Sequence, residues 1–334
     1  MMKQHKTVTG LMIILCMVSI FVCSPVSVWA EESREEPKCF TLQTETVTIL
    51  AETSENTVIK KSLPKKQRLK KIKVSVTKKE FKRFFKKSAF IGNSIGVGQR
   101  MYLDYEGKKY LGNPTMLVKG CYSFTNDQIA GGQYRLNYKG QNCSAKDAVS
   151  KAKVKYVFIN MGINDMWEGP EVVFRRYKKY IKGIRKKNPG IIIFIESTTP
   201  VYYGKQQQSL NNKNVNRLNR LLEKYCKETR DVYFIDISTP LKDSHGGLAA
   251  AYCSDHYVHV TMSGYRVWTK TICKYIRQWM KQEKQARWSV KIARKQKSTM
   301  EYDRANRLVC LLEKSSLKQE LSRQLKQLKK DLKE

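Results

Sequence analysis

The sequence predicts a three-layer α/β/α sandwich around a mainly parallel sheet of five strands. Between residues 81 and 281, five short apolar runs alternate with segments of helical periodicity. Strands that alternate with helices pair in parallel through right-handed crossovers, which place helices on both faces of the sheet. Functional groups are then expected to gather at the carboxyl ends of the strands.

The predicted strands are short and strongly apolar. The third is nearly continuously hydrophobic from Val154 to Ile159, which is typical of a strand covered on both faces. In chain order the predicted strands are Ala89–Ile91, Thr115–Val118, Lys153–Asn160, Ile191–Ile195 and Val232–Ile235.

Three helices are predicted from apolar residues that recur at spacings of three and four. The first begins at Pro170 and ends before Asn188-Pro189-Gly190. The second spans Asn214–Thr229, and the third spans Ser263–Lys281.

Both ends of the chain lie outside the predicted domain, which we assign to residues 81–281. Residues 1–30 contain two lysines, an apolar run and a small-residue cleavage pattern, so they predict a signal peptide, with an uncleaved anchor as the alternative. Residues 31–80 are expected to form a polar and then basic linker, and residues 282–334 a basic helical tail. Leucines at helical spacing in that tail indicate either a helix docked on the domain or on a second copy, or an amphipathic helix on an anionic surface.

The chain has a net charge of +35 at pH 7. For an exported protein, this excess indicates an anionic cell-wall polymer or a membrane surface as partner. No recognisable nucleic-acid module is present, so no specific nucleic-acid partner is expected. The cysteines after residue 30 are odd in number and scattered, which predicts no disulfide framework, and no C-x-x-C pair indicates a metal site. No cofactor is expected, and the sequence does not indicate an oligomeric state.

Ser94 is the candidate nucleophile. It follows the first predicted strand within Gly92-Asn93-Ser94-Ile95-Gly96, which fits the G-x-S-x-G pattern of a nucleophile elbow. That pattern arises easily by chance. A serine also needs a base, an orienting carboxylate and donors for an oxyanion before it can attack an acyl group at neutral pH.

The rest of the chain supplies a candidate for each of these groups. Asp255 and His259 lie four residues apart near the end of the domain, where the histidine can act as base and the aspartate can orient it. Asn164 follows the third strand and can offer its side-chain amide to an oxyanion. Gly120 lies just past the second strand and can bring a backbone N–H to the same place.

Two other roles are weighed for residues of these segments. Asp255, His256 and His259 could be metal ligands instead, although the sequence indicates no fourth ligand. Asp165 is expected to cap the following helix or to brace a loop.

With these pieces in this order, the stretch from Ala89 to Trp279 resembles the SGNH hydrolases, also called the GDSL-like lipase/acylhydrolase family. The resemblance implies a flavodoxin-like fold, a triad of Ser94, His259 and Asp255, and an oxyanion hole of Ser94, Gly120 and Asn164. The matching positions are Ser94 for the serine of block I, Gly120 for the glycine of block II, Gly162-Ile163-Asn164-Asp165 for the G-x-N-D of block III, and His259 for the histidine of block V.

Two positions depart from the family pattern. Block I usually reads Gly-Asp-Ser, and Asn93 stands in place of that aspartate, which is not a triad member. Block V usually reads D-x-x-H, whereas Asp255 lies four residues before His259 and His256 occupies the usual place. A single-residue bulge is needed for the carboxylate to reach the imidazole; without that contact, a backbone carbonyl would have to orient the ring and activity would fall.

These residues predict an exported serine esterase, secreted or associated with the cell envelope, and an O-acetyl group on an envelope glycan is one candidate substrate. The alternative is a catalytically idle domain of the same fold that binds an anionic wall polymer or a membrane surface. The irregular spacing of Asp255 motivates that alternative. The ester itself is not indicated by the sequence.

Overall fold

The computed structural model describes residues 74–332. The predicted signal peptide and most of the predicted linker, up to residue 73, lie outside the described residues. Within residues 74–332, no helix is both long enough and apolar enough to cross a membrane.

Within residues 74–332, five parallel strands form the central sheet, and two further strands form a small antiparallel hairpin. In chain order the strands are β1 (Ser88–Gly92), β2 (Thr115–Val118), β3 (Leu136–Tyr138), β4 (Gln141–Cys143), β5 (Tyr156–Asn160), β6 (Ile192–Glu196) and β7 (Val232–Ile235). The parallel sheet has the order β2-β1-β5-β6-β7, and β3 pairs with β4. This is the flavodoxin-like order, in which the direction of winding reverses between β1 and β5. The predicted fold class is therefore confirmed.

Helices cover both faces of the sheet. They are α1 (Lys78–Lys86), α2 (Ser94–Tyr102), α3 (Lys108–Leu111), α4 (Phe124–Gln128), α5 (Ala145–Ala152), α6 (Pro170–Lys187), α7 (Asn212–Glu228), α8 (Met262–Gln296), α9 (Thr299–Cys310) and α10 (Ser316–Asp331). Helices α5, α6 and α7 are consecutive neighbours in one layer, and α8 packs beside α2 and α3 in the other.

A row of aromatic side chains crosses the sheet and sets the strand register. Phe90, Phe158, Phe194 and Tyr233 occupy paired positions on four adjacent strands, with successive ring centroids 4.4, 4.9 and 5.2 Å apart. Trp279 of α8 packs edge-on against Phe194 and Tyr233 at 5.4 and 5.6 Å. Cross-strand aromatic pairs of this kind stabilise one register. The carboxyl ends of the strands consequently meet at a single edge of the sheet.

Two element boundaries differ by three residues or more from the sequence-based expectation, and other boundaries shift by one or two residues. Strand β5 begins at Tyr156 instead of Lys153, because Lys153 ends α5 in a left-handed conformation with φ of 51°. Helix α8 continues beyond Lys281 to Gln296 without a break. Its extra turns bury small residues at helical spacing, which pack against the helices that follow.

The tail helices form a second, smaller core with the end of α8. The leucine stripe of α10 is buried in this core against α9 and the extension of α8, and so packs within residues 282–334 of the same chain instead of on the predicted domain or a second copy. The buried members of this core are Ala286, Val290, Ala293, Ala305, Val309, Leu312, Leu317, Leu321, Leu325 and Leu328.

Candidate active site

Ser94 lies at the junction of β1 and α2, at the carboxyl edge of the sheet. Strand β1 ends at Gly92, Asn93 is the N-cap residue, and Ser94 is the first residue of α2. The Asn93 side chain accepts a hydrogen bond from Ile95 N at 3.0 Å. Asparagine and aspartate are both favourable N-cap residues, so Asn93 keeps the capping interaction that an aspartate would make here.

The glycines on either side of Ser94 allow α2 to lie close to the sheet. A Cβ atom on Gly96 would lie 2.9 Å from Val118 Cγ1, and one on Gly92 would lie 3.1 Å from Gly96 Cα. The G-x-S-x-G pattern therefore reflects close packing of the helix against β1 and β2. This packing holds Ser94 where β1 and β5 diverge, the expected site of function in such a sheet.

Ser94, His259 and Asp255 form a continuous chain of side-chain contacts. His259 Nε2 is 3.0 Å from Ser94 Oγ. His259 Nδ1 is 2.6 Å from Asp255 Oδ2. The fold thus brings together three side chains that are distant in sequence, in the order in which a base and its orienting carboxylate act on a serine.

A tight loop gives Asp255 access to the histidine despite the four-residue spacing. His256 takes the extra position in a left-handed conformation with φ of 52°. The loop is closed by a bridge between Cys253 and Val260. Asp255 Oδ1 accepts hydrogen bonds from the backbone N–H groups of Tyr257, Val258 and His259 at 2.9, 3.0 and 3.1 Å.

The environment of Asp255 favours its ionised form. Burial alone would raise the pKa of this carboxyl group, but hydrogen bonds from the His259 ring and from backbone N–H groups outweigh it, and the pKa is lowered. Asp255 is therefore a carboxylate at neutral pH and can accept a hydrogen bond from the protonated Nδ1 of His259.

Gly120 and Asn164 lie on the loops that follow β2 and β5. Asn164 Nδ2 donates to Tyr122 O at 2.9 Å, which ties the two loops together. Lys119 N donates to Gly92 O at 3.2 Å, so the Gly120 loop borders the end of β1. A Cβ atom on Gly120 would meet no protein atom within 4 Å, so the glycine leaves open space at this position.

Asp165 braces the same pair of loops. Its Oδ2 accepts from Phe124 N at 3.2 Å, at the start of α4. Burial raises the pKa of Asp165 to about 6, while the bond from Phe124 and the charge of Arg176 act in the opposite direction. Of the two expected roles, the loop brace is the one the contacts show: Asp165 bonds the first residue of the earlier helix α4, whose N-cap residue is Ser123.

Tyr265 makes a contact between the histidine segment and the serine segment that the sequence did not predict. Its hydroxyl donates to Ile95 O at 2.7 Å. This bond joins the first turn of α8, just after His259, to the first turn of α2, which carries Ser94. The sequence signal was only its place in the turn that follows the histidine block.

The contacts of the histidine loop bear on the metal alternative. Asp255 and His259 bond to each other, and the His256 ring packs against Tyr202 with centroids 5.3 Å apart. Among residues 74–332, no three His, Cys, Asp or Glu side chains are grouped so that they could hold a metal ion.

Glu196 is a buried carboxyl group at the carboxyl end of β6. Trp268 Nε1 donates to Glu196 Oε2 at 2.9 Å, and Glu196 Oε1 has no hydrogen-bond partner within the described part of the chain. Burial raises the pKa of Glu196 to about 8. The folded protein therefore holds a proton here that the unfolded chain releases from about pH 4.5 upwards.

We expect this proton to make the stability of the protein decrease as pH rises. A carboxyl group with a raised folded-state pKa stabilises fully below its unfolded pKa, and that contribution is lost as pH rises towards 8. At about 1.4 kcal/mol for each pH unit, the loss approaches 4 to 5 kcal/mol as an upper bound. Denaturant unfolding of the parent and of Glu196→Gln between pH 5 and pH 9 measures it, because the variant lacks this slope. Glu228→Gln, at an exposed site, should follow the parent, and parallel curves for Glu196→Gln and the parent would contradict the assignment.

The parallel α/β/α fold, with a serine, a histidine and an aspartate in contact at the carboxyl edge of its sheet, has the arrangement found in serine hydrolases. Residues 90–267 match the model of the GDSL-like Lipase/Acylhydrolase family, which covers more than half of the chain. The chain belongs to this family, and it is a hydrolase of the esterase and lipase type.

Solved structures with a similar fold include several proteins of this kind. A GDSL-like lipase from Bacteroides thetaiotaomicron is 18% identical, with a TM-score of 0.45, over 61% of this chain and 92% of that one. A lipolytic protein of the G-D-S-L family from Veillonella parvula is 17% identical, with a TM-score of 0.41, over 56% and 96%. A carbohydrate esterase of family 3 from Talaromyces cellulolyticus is 13% identical, with a TM-score of 0.41, over 57% and 96%. No curated protein matches the chain.

Proposed function

We propose that this protein is an exported serine esterase in which Ser94 is the nucleophile, His259 the general base and Asp255 the orienting carboxylate. The observation that carries the proposal is the unbroken contact from Ser94 Oγ to His259 Nε2 and from His259 Nδ1 to Asp255, at 3.0 and 2.6 Å. The four-residue spacing that motivated an idle domain leaves the carboxylate in contact with the imidazole. The esterase is therefore the function that this geometry favours.

In the acylation step, His259 Nε2 removes the proton of Ser94 as Oγ attacks the ester carbonyl. The resulting imidazolium is stabilised by the ionised Asp255, which also keeps Nδ1 protonated. Collapse of the tetrahedral intermediate breaks the ester C–O bond, and the imidazolium gives its proton to the departing alcohol. Water then attacks the acyl-enzyme with His259 again as base, which releases the carboxylic acid and restores Ser94.

The oxyanion is proposed to receive hydrogen bonds from Ser94 N, Gly120 N and the Asn164 side chain. Ser94 opens α2, and the first N–H groups of a helix have no acceptor within the helix. The side-chain amide nitrogen of Asn164 carries two protons, and one of them is donated to Tyr122 O. The other can turn towards a substrate, and the open space at Gly120 allows the substrate to approach the backbone.

The exposure of the site favours a short acyl group on a large substrate. The His259 side chain is 44% exposed and the Asp255 side chain 34%. A long fatty acyl chain needs an extended apolar surface that removes it from water, whereas an acetyl group needs little. We therefore propose O-acetyl esters on a glycan of the cell envelope as the substrate class, in keeping with the predicted signal at residues 1–30.

Covalent labelling tests the proposed nucleophile, and an acyl-chain series tests the substrate class. A fluorophosphonate should modify the purified full chain, and peptide mass mapping should place the adduct on Ser94. With p-nitrophenyl esters, kcat/KM should be highest for acetate and should fall as the chain lengthens. Labelling at another serine would overturn the role of Ser94, and a preference for long chains would overturn the acetyl assignment alone.

Replacement of Asn164 by alanine is expected to lower kcat for acetyl ester hydrolysis. Loss of one oxyanion donor typically costs roughly 3–4 kcal/mol in the transition state, a fall of about 10²- to 10³-fold. KM should change little, because the donor acts on the charge that develops during reaction. Asn126→Ala is the matched control, since its amide also bonds a loop carbonyl, Cys121 O, but belongs to α4. A kcat for Asn164→Ala within about threefold of the parent would exclude Asn164 from the oxyanion hole.

A further inference from the structure

A cavity lies between α6 and a wall formed by α4, the turn before β3 and the start of α5, and none of its lining residues belongs to the proposed catalytic machinery. It measures about 620 Å³. We call it the basic cavity, because its wall carries the cationic side chains of Arg135, Lys146, Arg176, Lys179, Lys182 and Lys186.

Most of these cationic side chains are not held in a direct ion pair within the described part of the chain. Arg176 pairs with Glu168. By contrast, the side chains of Arg135, Lys146, Lys179, Lys182 and Lys186 make no ion pair or hydrogen bond within residues 74–332, and Arg135 Nε is a buried donor without an acceptor.

The two acidic residues in the wall are engaged elsewhere. Asp147 pairs with Lys187 and accepts from Ser144 Oγ. Asp127 accepts from Tyr122 O–H at 2.7 Å and from Ala145 N at 2.7 Å. The charges of Arg135 and Lys146 also act to lower the pKa of Asp127, and that of Lys146 acts on Asp147. The remaining lysines of α6 in the wall make no ion pair within residues 74–332, so cationic groups outnumber acidic ones there, which is a favourable environment for an anion with several charges.

Gly183 leaves room for that anion. It lies in the interior of α6, where glycine weakens a helix relative to alanine. A Cβ atom at this position would meet no protein atom within 4 Å, so packing does not require a glycine. Gly183 itself lines the basic cavity, and the absence of a side chain there leaves open space among the lysines of α6.

The remaining lining favours a flexible chain without aromatic bases. Single-stranded nucleic acids are held by exposed aromatic rings on which the bases stack. The aromatic rings of the cavity wall are Phe124 and Tyr180, which pack edge to face at 5.1 Å, and Phe124 is buried. We propose that the basic cavity binds a short stretch of a polyol chain linked by phosphodiesters, the chemistry of an anionic wall polymer.

Binding of an end-labelled glycerol phosphate oligomer to the full chain, followed by fluorescence anisotropy, tests this proposal. The triple variant Lys179→Gln, Lys182→Gln, Lys186→Gln should bind at least about tenfold more weakly than the parent, because each lysine can make a charge-assisted bond to phosphate. The matched control removes three exposed helical lysines elsewhere, Lys224→Gln, Lys270→Gln and Lys274→Gln. This control variant has the same net charge as the first triple variant. If local contacts and not the overall charge bind the oligomer, its affinity should stay within about threefold of the parent.

Substitutions at Gly183 test the cavity without changing the charge. Gly183→Leu should weaken binding about as much as the triple variant, because its side chain fills the space. Gly183→Ala should bind like the parent and melt at a higher temperature, since alanine favours the helix. Far-UV circular dichroism spectra that match the parent's in all these variants report an intact fold.

Four outcomes would overturn the proposal. They are equal losses in the two triple variants, parental affinity in Gly183→Leu, inorganic phosphate binding as tightly as the oligomer, and single-stranded DNA binding more tightly with the same sensitivity to the variants. Neutral polyglycerol should not bind. Ser94→Ala should bind the oligomer like the parent, so this result is independent of the proposed esterase activity.

Discussion

Replacement of Ser94 by alanine is expected to lower kcat for p-nitrophenyl acetate roughly 10⁶-fold, because the triad acts as a unit once its nucleophile is lost. The variant should fold normally. Alanine is a good helix residue at the start of α2, and the lost contact with His259 Nε2 is a single hydrogen bond, worth about 1 kcal/mol. The measurement compares kcat, KM and the melting temperature of purified parent and variant.

Ser263→Ala provides the matched control for this prediction. Ser263 lies in the first turn of α8, near the histidine loop, and its hydroxyl bonds Ala251 O, an acceptor that Thr261 also reaches. Its activity should stay within about threefold of the parent, since surface substitutions usually have small effects. A Ser94→Ala protein that hydrolyses the ester at the parental rate would exclude the serine mechanism and leave family membership as the remaining reason to expect hydrolysis.

The strands of the sheet could be predicted well because a buried parallel strand is recorded directly in the sequence. The bounds of β2 and β7 match the apolar runs from which they were predicted. Side chains on both faces of such a strand are covered, so the run is apolar throughout and ends where the backbone leaves the sheet.

Elements whose signals are weaker or non-local were missed. The hairpin β3-β4 and helix α5 were not predicted, although Ser144 and Asp147 have the spacing of a helix N-terminus and their side chains bond in the structure. The end of α8 was placed at Lys281, because the contacts that continue the helix come from α9 and α10, whose packing a local pattern does not reveal.

The proposed site likewise had features that a local sequence signal predicted and features that depend on non-local contacts. The identity of Ser94, His259 and Asp255 as candidates followed from residue type and order along the chain. The left-handed backbone of His256, which lets Asp255 reach the imidazole, depends on the closed loop and could only be posed as a bulge. The sequence showed an excess of positive charge but did not predict the basic cavity. The wall of this cavity combines helix α6 with a separate segment that contains α4 and α5.

Replacement of Asp255 by asparagine is expected to lower kcat roughly 10⁴-fold through the tautomer of His259. In the parent, the Asp255 carboxylate accepts a hydrogen bond from the protonated Nδ1 of His259 at 2.6 Å. Nε2 therefore carries no proton and can take the proton of Ser94. An asparagine that uses its oxygen for the backbone N–H groups of the loop presents its NH₂ to the ring. Nδ1 then becomes the acceptor, and Nε2 carries a proton that prevents it from acting as base.

The choice of asparagine separates this chemical effect from a folding effect. Asp255 Oδ1 accepts three backbone N–H groups, and an amide oxygen can accept them as well, so the loop should persist and the melting temperature should change little. Asp243→Asn is the matched control, because Asp243 also accepts from backbone N–H groups of a tight turn, at His245 and Gly247. A large fall in kcat for Asp255→Asn alone, with KM and stability preserved, is the expected result. Activity within about tenfold of the parent would mean that another group orients the imidazole, because a wrong tautomer cannot sustain that rate.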